Sequence, residues 1–203
     1  MTANPNTNSG PNPNPQGKGL VPVLDQLSIA TTHSAKAKGP AQILGDYLAS
    51  SLVLSARFAF KPVRGVRYSL YRKTDHWQLS LVSPDDWKID QTTNMSQTID
   101  VEFTGYCELL PDLTWSLDLR EDLTEHTHIT EAIRLHCEHF VSTIDESVSL
   151  ESSLPFYKAN LPFYARVFAH ALSKSLADSI THSGLTDQKG QQWLAGKTIS
   201  LLQ

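Results

Sequence analysis

A run of strictly alternating apolar and polar residues between positions 66 and 119 constrains the fold more than any other part of the chain. Side chains of a β-strand point to opposite faces with a period of two, so this alternation predicts four half-buried strands. The predicted apolar positions are Val66, Tyr68, Leu70, Trp77, Leu79, Leu81, Ile99, Val101, Phe103, Gly105, Cys107, Leu109, Leu113, Trp115, Leu117 and Leu119. Short polar turns within each pair of strands are typical of hairpins. The glycine at position 105 indicates a bulge or a close backbone approach in the longest strand.

Stretches with a helical period precede and follow this region. The first runs from Pro40 to Phe58 and begins with a proline, whose missing N–H costs nothing at that position. Two more run from about 130 to 144 and from about 162 to 180. A sheet with one apolar face needs cover on that side only. The sequence therefore predicts an α+β fold, in which a four-stranded antiparallel β-meander is covered on one face by a preceding helix and following helices.

The predicted organisation is a single domain between two tails. Residues 1–38 are rich in Asn, Pro, Ser, Gly and Thr, which predicts a mostly disordered N-terminal tail. Residues 39–182 form the α+β domain, with a helix at 39–59, the sheet at 66–119 and helices at 129–182. Residues 183–203 are predicted to be a C-terminal tail, for which Trp193 is the candidate anchor.

Composition and charge narrow the class of protein. The net charge of −4 and the pI of about 6.0 argue against a protein that binds nucleic acid over its whole surface. Cys107 and Cys137 fall at apolar positions, which is typical of reduced thiols rather than a disulfide framework. We find neither a signal peptide nor an apolar stretch of the ~20 residues that a membrane helix needs. The cytoplasm is the expected compartment.

A basic stretch suggests a binding surface. Between Tyr47 and Thr74 the chain has no acidic residue and six basic ones, which are Arg57, Lys61, Arg64, Arg67, Arg72 and Lys73. On the polar face of the first hairpin, Arg67 and Lys73 beside Tyr71 would suit phosphates and stacked bases, or an acidic protein. Strict alternation puts Arg72 on the inner side unless it lies at the strand end. The alternative is that these cations pair with the acidic second hairpin.

No pattern typical of catalysis appears in the sequence. His136 and His139 are three residues apart on a predicted helix and could reach one metal ion, but two ligands do not make a site. The alternative is a half-buried histidine beside exposed ones. A nucleophile elbow, a phosphate loop and a dinucleotide fingerprint are all missing. We therefore predict no catalytic residue, no metal and no cofactor.

Several short motifs together resemble an uncharacterised protein family. They are NPQGKGL at 14–20, YSLYR at 68–72, LSLVSPDDW at 79–87, Gly105-Tyr106, and LPDLTW at 110–115. The combination is similar to a domain of unknown function found in bacteria, with a eukaryotic branch, and that resemblance implies no activity, cofactor or catalytic residue. It does imply a role for the segment around Lys18, and we expect residues 16–24 to dock on the domain or on a partner.

Three functional hypotheses follow from the sequence. The leading one is a non-enzymatic cytoplasmic protein that binds another protein through the polar face of the sheet, near Arg67, Tyr71, Arg72 and Tyr106. A nucleic-acid-binding accessory protein that uses residues 57–73 is the second. The third is a small metal protein or enzyme around His136 and His139. A sheet face that binds a second copy of the chain has the same pattern, so a homo-oligomer is an open alternative.

Overall fold

The computed structural model describes residues 36–86, 101–144, 146–149, 163–195 and 201. Four helices, four strands and one 3₁₀ turn follow each other in this part of the chain. They are α1 (Pro40–Ser55), β1 (Arg67–Lys73), β2 (Trp77–Ser80), β3 (Val101–Leu109), β4 (Trp115–Leu119), the 3₁₀ turn (Leu123–Glu125), α2 (Thr127–Thr143), α3 (Phe163–His182) and α4 (Gly190–Leu194). The α+β class and the four-stranded antiparallel sheet are confirmed.

The strand order differs from the predicted meander. Both hairpins form as predicted, but the order across the sheet is β2-β1-β3-β4, so that β3 pairs with β1 instead of β2. Residues 81–100 connect the two hairpins, and a connection of that length does not force β2 and β3 to pair with each other. β3 therefore pairs with the seven-residue β1 rather than with the four-residue β2, which offers fewer ladder hydrogen bonds.

A bulge in β3 changes which side chains face the core. Leu70 pairs with Gly105 but Tyr71 pairs with Phe103, so Thr104 is the additional residue on the bulged strand. Phe103 was expected on the apolar face, and the bulge turns it to the opposite face, where its ring contacts that of Tyr71. The bulge and the close approach predicted at Gly105 are both confirmed. A Cβ there would overlap the carbonyl oxygen of Asp118.

Helix α1 lies between the sheet and the other helices. It contacts β2 and β4 on one side and α2 and α3 on the other. The predicted apolar stripe includes Leu44, Tyr47, Leu48 and Leu52, and it covers only part of the buried surface of α1, because Ile43, Ala49 and Val53 are also buried. A helix whose buried side chains lie on more than one side is typical of the middle layer of a core. The sheet is therefore covered first by α1, and α2 and α3 pack against α1.

Helices α2 and α3 have the predicted apolar stripes. The buried side chains are Ile129, Ile133, Cys137 and Phe140 in α2, and Ala165, Val167, Phe168, Ala171, Leu172, Ser175, Leu176 and Ser179 among others in α3. The ring of Phe140 meets that of Tyr47 in α1 edge to face, with 4.6 Å between centroids. In the described part of the chain, no helix combines the length and apolar character needed to cross a membrane.

A nearly buried ionic network joins the start of the domain to the β3–β4 turn. Lys38 Nζ donates to the carboxylates of Asp46 and Asp112. Asp112 also accepts hydrogen bonds from the backbone N–H and the hydroxyl of Thr114, at 3.1 and 2.7 Å. Burial alone would raise the pKa of Asp112, but its bonds to Lys38 and Thr114 outweigh burial and hold that pKa below its usual value. The backbone N–H of Lys38 donates to the Ser183 hydroxyl at 2.8 Å.

The chain after α3 packs against the domain as far as it is described. Gly184 stops the helix in a left-handed conformation with φ of 67°. Residues 190–194 form the short helix α4, and the Trp193 side chain on it is fully buried. The candidate anchor of the C-terminal tail thus lies in the core, and residues 183–195 are part of the folded unit.

Candidate binding site on the outer face of the sheet

The outer face of the sheet, which is opposite α1, carries an ordered cluster of three side chains. The guanidinium of Arg67 in β1 lies over the ring of Tyr106 in β3, with 3.7 Å from Cζ to the ring centroid. Its Nη2 donates to Oδ2 of Asp118 in β4 at 2.9 Å. The strand pairing places these residues on neighbouring strands, and their side chains emerge on the same face. The arginine is thus held by a ring and a carboxylate at once.

These residues line an open depression of about 250 Å³. The outer-face patch, as we call it, consists of Arg67, Tyr106, Glu108, Ser116 and Asp118. The side chains of Arg67 and Asp118 are 59% and 74% exposed, so both can contact a partner. The patch has two carboxylates and one guanidinium, and its net charge is therefore negative.

Next to the patch, buried and half-buried aromatic rings continue along the outer face of the sheet. Phe103 contacts Tyr106 with 4.9 Å between ring centroids and Tyr71 with 5.7 Å. Tyr71 is buried and its hydroxyl donates to the carbonyl oxygen of Val82 at 2.9 Å. Burial raises the pKa of Tyr71, which keeps this donor protonated. Tyr71 therefore supports the patch from beneath instead of contacting a partner.

Exposed apolar side chains lie in the loop that leads into β1. Val63 and Val66 are 57% and 37% exposed, and they precede Arg67 in the chain. The loop that carries them is held in place because the backbone N–H of Val63 donates to the Tyr68 hydroxyl at 2.7 Å. Gly65, with φ of 71°, makes the turn and donates to the carbonyl of Leu109 at 3.1 Å. An ordered loop thus presents exposed apolar side chains in the segment that precedes Arg67.

The remaining predicted site residues lie apart from this patch. Arg72 lies over the ring of Trp77 at 5.0 Å, and its Nη2 donates to the carbonyl of Thr74. Trp77 belongs to the core, so Arg72 is on the inner side, as strict alternation indicated. Burial lowers the pKa of its guanidinium below the usual value. Lys18 lies outside the described residues.

The two histidines that were considered as metal ligands have different surroundings on α2. His136 faces α1, where its Nε2 is 2.9 Å from the hydroxyl of Ser51. His139 is exposed on α2. Within residues that the structure describes, we find no group of three or more His, Cys, Asp or Glu side chains placed to hold a metal ion.

Sequence reasoning missed the acidic half of the patch. Glu108 and Asp118 belong to the acidic second hairpin. They lie on the same sheet face as Arg67 because β3 pairs with β1. The alternative prediction, that cations of the basic stretch pair with this hairpin, is confirmed for Arg67. The signal available in the sequence was the alternation itself, which puts Glu108 and Asp118 on the polar face of their strands.

Comparison with known proteins finds no matching family model, no similar curated protein and no similar solved structure. The resemblance carried by the short motifs therefore stays a hypothesis. Two of those motifs have structural roles here. LPDLTW forms the β3–β4 turn with Asp112, and residues 83–86 form a turn in which Ser83 accepts the backbone N–H of Asp86 at 3.3 Å.

Proposed function

We propose that this chain is a non-enzymatic protein-binding protein, an adaptor or accessory factor, whose contact surface is the outer-face patch. The observation that carries the proposal is the exposed arginine stacked on Tyr106 and fixed by Asp118. Arg and Tyr are enriched at protein interfaces, and a side chain that is already held in one conformation loses less entropy on binding.

The exposed valines support a protein partner. Val63 and Val66 add exposed apolar area in the loop that leads into Arg67, and that loop is fixed by hydrogen bonds to Tyr68 and Leu109. Interfaces commonly combine an apolar contact with polar groups at its border. A folded partner or a peptide could cover both parts at once.

The charges favour a protein partner over nucleic acid. Two carboxylates lie in the patch, and they would repel a phosphate backbone. In the basic stretch, Arg67 is paired with Asp118, and Arg72 is turned towards Trp77. Binding to nucleic acid through residues 57–73 is accordingly the second hypothesis. The cytoplasm remains the proposed compartment because Cys107 and Cys137 are buried free thiols.

The test is a pull-down of the tagged full chain from its own cells, with and without nuclease, read by mass spectrometry. Wild type is compared with an R67A/Y106A double variant and with R134A, a matched control that removes an exposed, ion-paired arginine from α2. We expect a protein that survives nuclease, is lost with R67A/Y106A and is retained with R134A. Loss of all partners on nuclease treatment would favour the nucleic-acid hypothesis instead. Partners that bind the double variant normally would contradict the proposed surface.

A further inference from the structure

The two edges of the sheet differ in how they are covered. At β2, the backbone of Arg57 occupies part of the edge, with its N–H donating to the carbonyl of Trp77 at 2.8 Å and its carbonyl accepting from Leu79 at 3.1 Å. Such cover blocks pairing with another chain. β4 forms the opposite edge of the sheet.

Hydrogen bonds fix which backbone groups of β4 point away from the sheet. Arg120 donates to the carbonyl of Thr104 at 3.1 Å, and the carbonyl of Thr114 accepts from Leu110 at 2.9 Å. In an antiparallel ladder such bonded positions alternate, so the even-numbered residues from 114 to 120 point to β3. Trp115, Leu117 and Leu119 therefore direct their N–H and C=O groups outwards.

Helix α1 covers only the first of these three residues. The N–H of Trp115 donates to the Ser50 hydroxyl at 2.9 Å. For Leu117 and Leu119, no outward hydrogen bond is found among the described residues. Within the ranges that the structure describes, these two residues therefore form an uncovered edge, with donors and acceptors at the spacing that an added strand requires.

Side chains along this edge specify what could pair with it. Leu117 and Leu119 are half-buried against the core on the inner side, so an added strand would place apolar side chains there. On the outer side, Ser116 and Asp118 belong to the outer-face patch, and the Asp118 carboxylate is 74% exposed. A basic side chain opposite Asp118 would be attracted, whereas an acidic one would be repelled.

We propose that β4 binds an extended peptide segment of a partner protein as a fifth strand, with apolar residues over Leu117 and Leu119 and a basic residue beside Asp118. This inference rests on the proposed function and names its partner class. The edge and the outer-face patch are continuous through Asp118, so a single segment would engage both. The two carboxylates of the patch select a basic segment against an acidic one.

The test uses three synthetic heptapeptides with the full chain. The first alternates valine and lysine, the second replaces lysine with glutamate, and the third has proline at the central valine. Hydrogen exchange of backbone amides is followed by NMR. With the valine–lysine peptide we expect exchange at Leu117 and Leu119 to slow at least tenfold, while Asp118, whose N–H already points to β3, serves as the internal control. We expect at least tenfold weaker binding of the other two peptides, and D118K should reverse the preference between lysine and glutamate.

Three results would overturn the inference. One is unchanged exchange at Leu117 and Leu119 with saturating peptide. Another is slow exchange at both residues before any peptide is added, because the edge would then be covered by another part of this chain or by a second copy. Equal binding of the lysine and glutamate peptides is the third. If partner capture depends on Arg67 but hydrogen exchange at Leu117 does not change, the proposed function stands and only the inference about the β4 edge is rejected.

Discussion

The hydroxyl of Ser50 accepts a hydrogen bond from the backbone N–H of Trp115, with 2.9 Å between Oγ and N. Ser50 donates its own proton to the carbonyl of Asp46 in the preceding turn of α1. Both partners are inaccessible to water. Since the N–H of Trp115 points away from β3, the serine is what satisfies it, and this bond ties α1 to the first residue of β4.

Replacing Ser50 with alanine is expected to destabilise the fold by about 1–3 kcal/mol, because a buried N–H is left without an acceptor. Urea unfolding followed by tryptophan fluorescence measures the change. The matched control is S55A, since the exposed Ser55 bonds only the carbonyl of Leu52 in its own helix, and we expect a change within about 0.5 kcal/mol. Equal effects of the two substitutions would contradict the role of Ser50.

Replacing Asp112 with asparagine is expected to lower the free energy of unfolding at pH 7 by about 1.5–3 kcal/mol, because Lys38 and Thr114 lose a charged acceptor. The pKa of Asp112 is lower in the folded chain than when unfolded. Its contribution is therefore complete above the unfolded-state value of about 3.9 and is lost as the pH falls through the folded-state value.

Urea unfolding of wild type and D112N between pH 7 and pH 2.5 measures this contribution. We expect the difference between the two proteins to be constant near neutrality and to shrink at the acid end. D118N is the control, since that carboxylate is 74% exposed, and it should change stability by about 0.5 kcal/mol or less. A difference that grows towards acid pH would contradict the assigned direction of the Asp112 pKa.

Two glycine-to-alanine substitutions are expected to have opposite effects. At Gly105 the new Cβ would overlap the backbone of Asp118 and lie 2.9 Å from Cα of Leu119, which should cost at least about 2 kcal/mol. At Gly45, exposed within α1, nothing lies within 4 Å of the new atom. G45A should therefore stabilise the protein by about 0.5–1 kcal/mol through helix propensity. Thermal unfolding of both variants tests the pair, and a neutral G105A would refute the close approach.

Removing Arg67 is expected to weaken partner binding but not the fold. Its pair with Asp118 is exposed, and such pairs contribute about 0–1 kcal/mol. R67A should therefore unfold within about 1 kcal/mol of wild type in urea while it loses the captured partner. A large loss of stability in R67A would instead assign a structural role to the stacked pair.

The parts of the fold that could be predicted are those set by local periodicity. Alternation identified the hairpins, and the helical period identified the buried stripe of α3, because each of these patterns repeats within a few residues. The pairing of β1 with β3 was not predictable, since the connection from 81 to 100 is too long to specify which strands pair. The contact between Lys38 and Asp112 spans 74 positions and leaves no periodic signal in the sequence.

Part of the candidate site was also predicted from local periodicity. Arg67 and Tyr106 lie on the polar face, as their strand periodicity indicated, and Arg72 lies on the other. Tyr71 was assigned to the same face correctly, but its burial depends on Phe103, which the bulge at Thr104 brings beside it. A bulge shifts the side-chain period by one residue, and alternation alone cannot locate that shift.

The position of α1 between the sheet and the outer helices has a consequence for synthesis on the ribosome. This helix precedes the other described elements in the chain, and β4 and α3, against which it packs, are made later. The surface of α1 that packs against α3 is therefore left without its native neighbour until more than a hundred further residues are translated, as counted from Ser55 to the end of α3. Nascent chains in that condition are the ones that chaperones bind, and crowded overexpression should favour their aggregation.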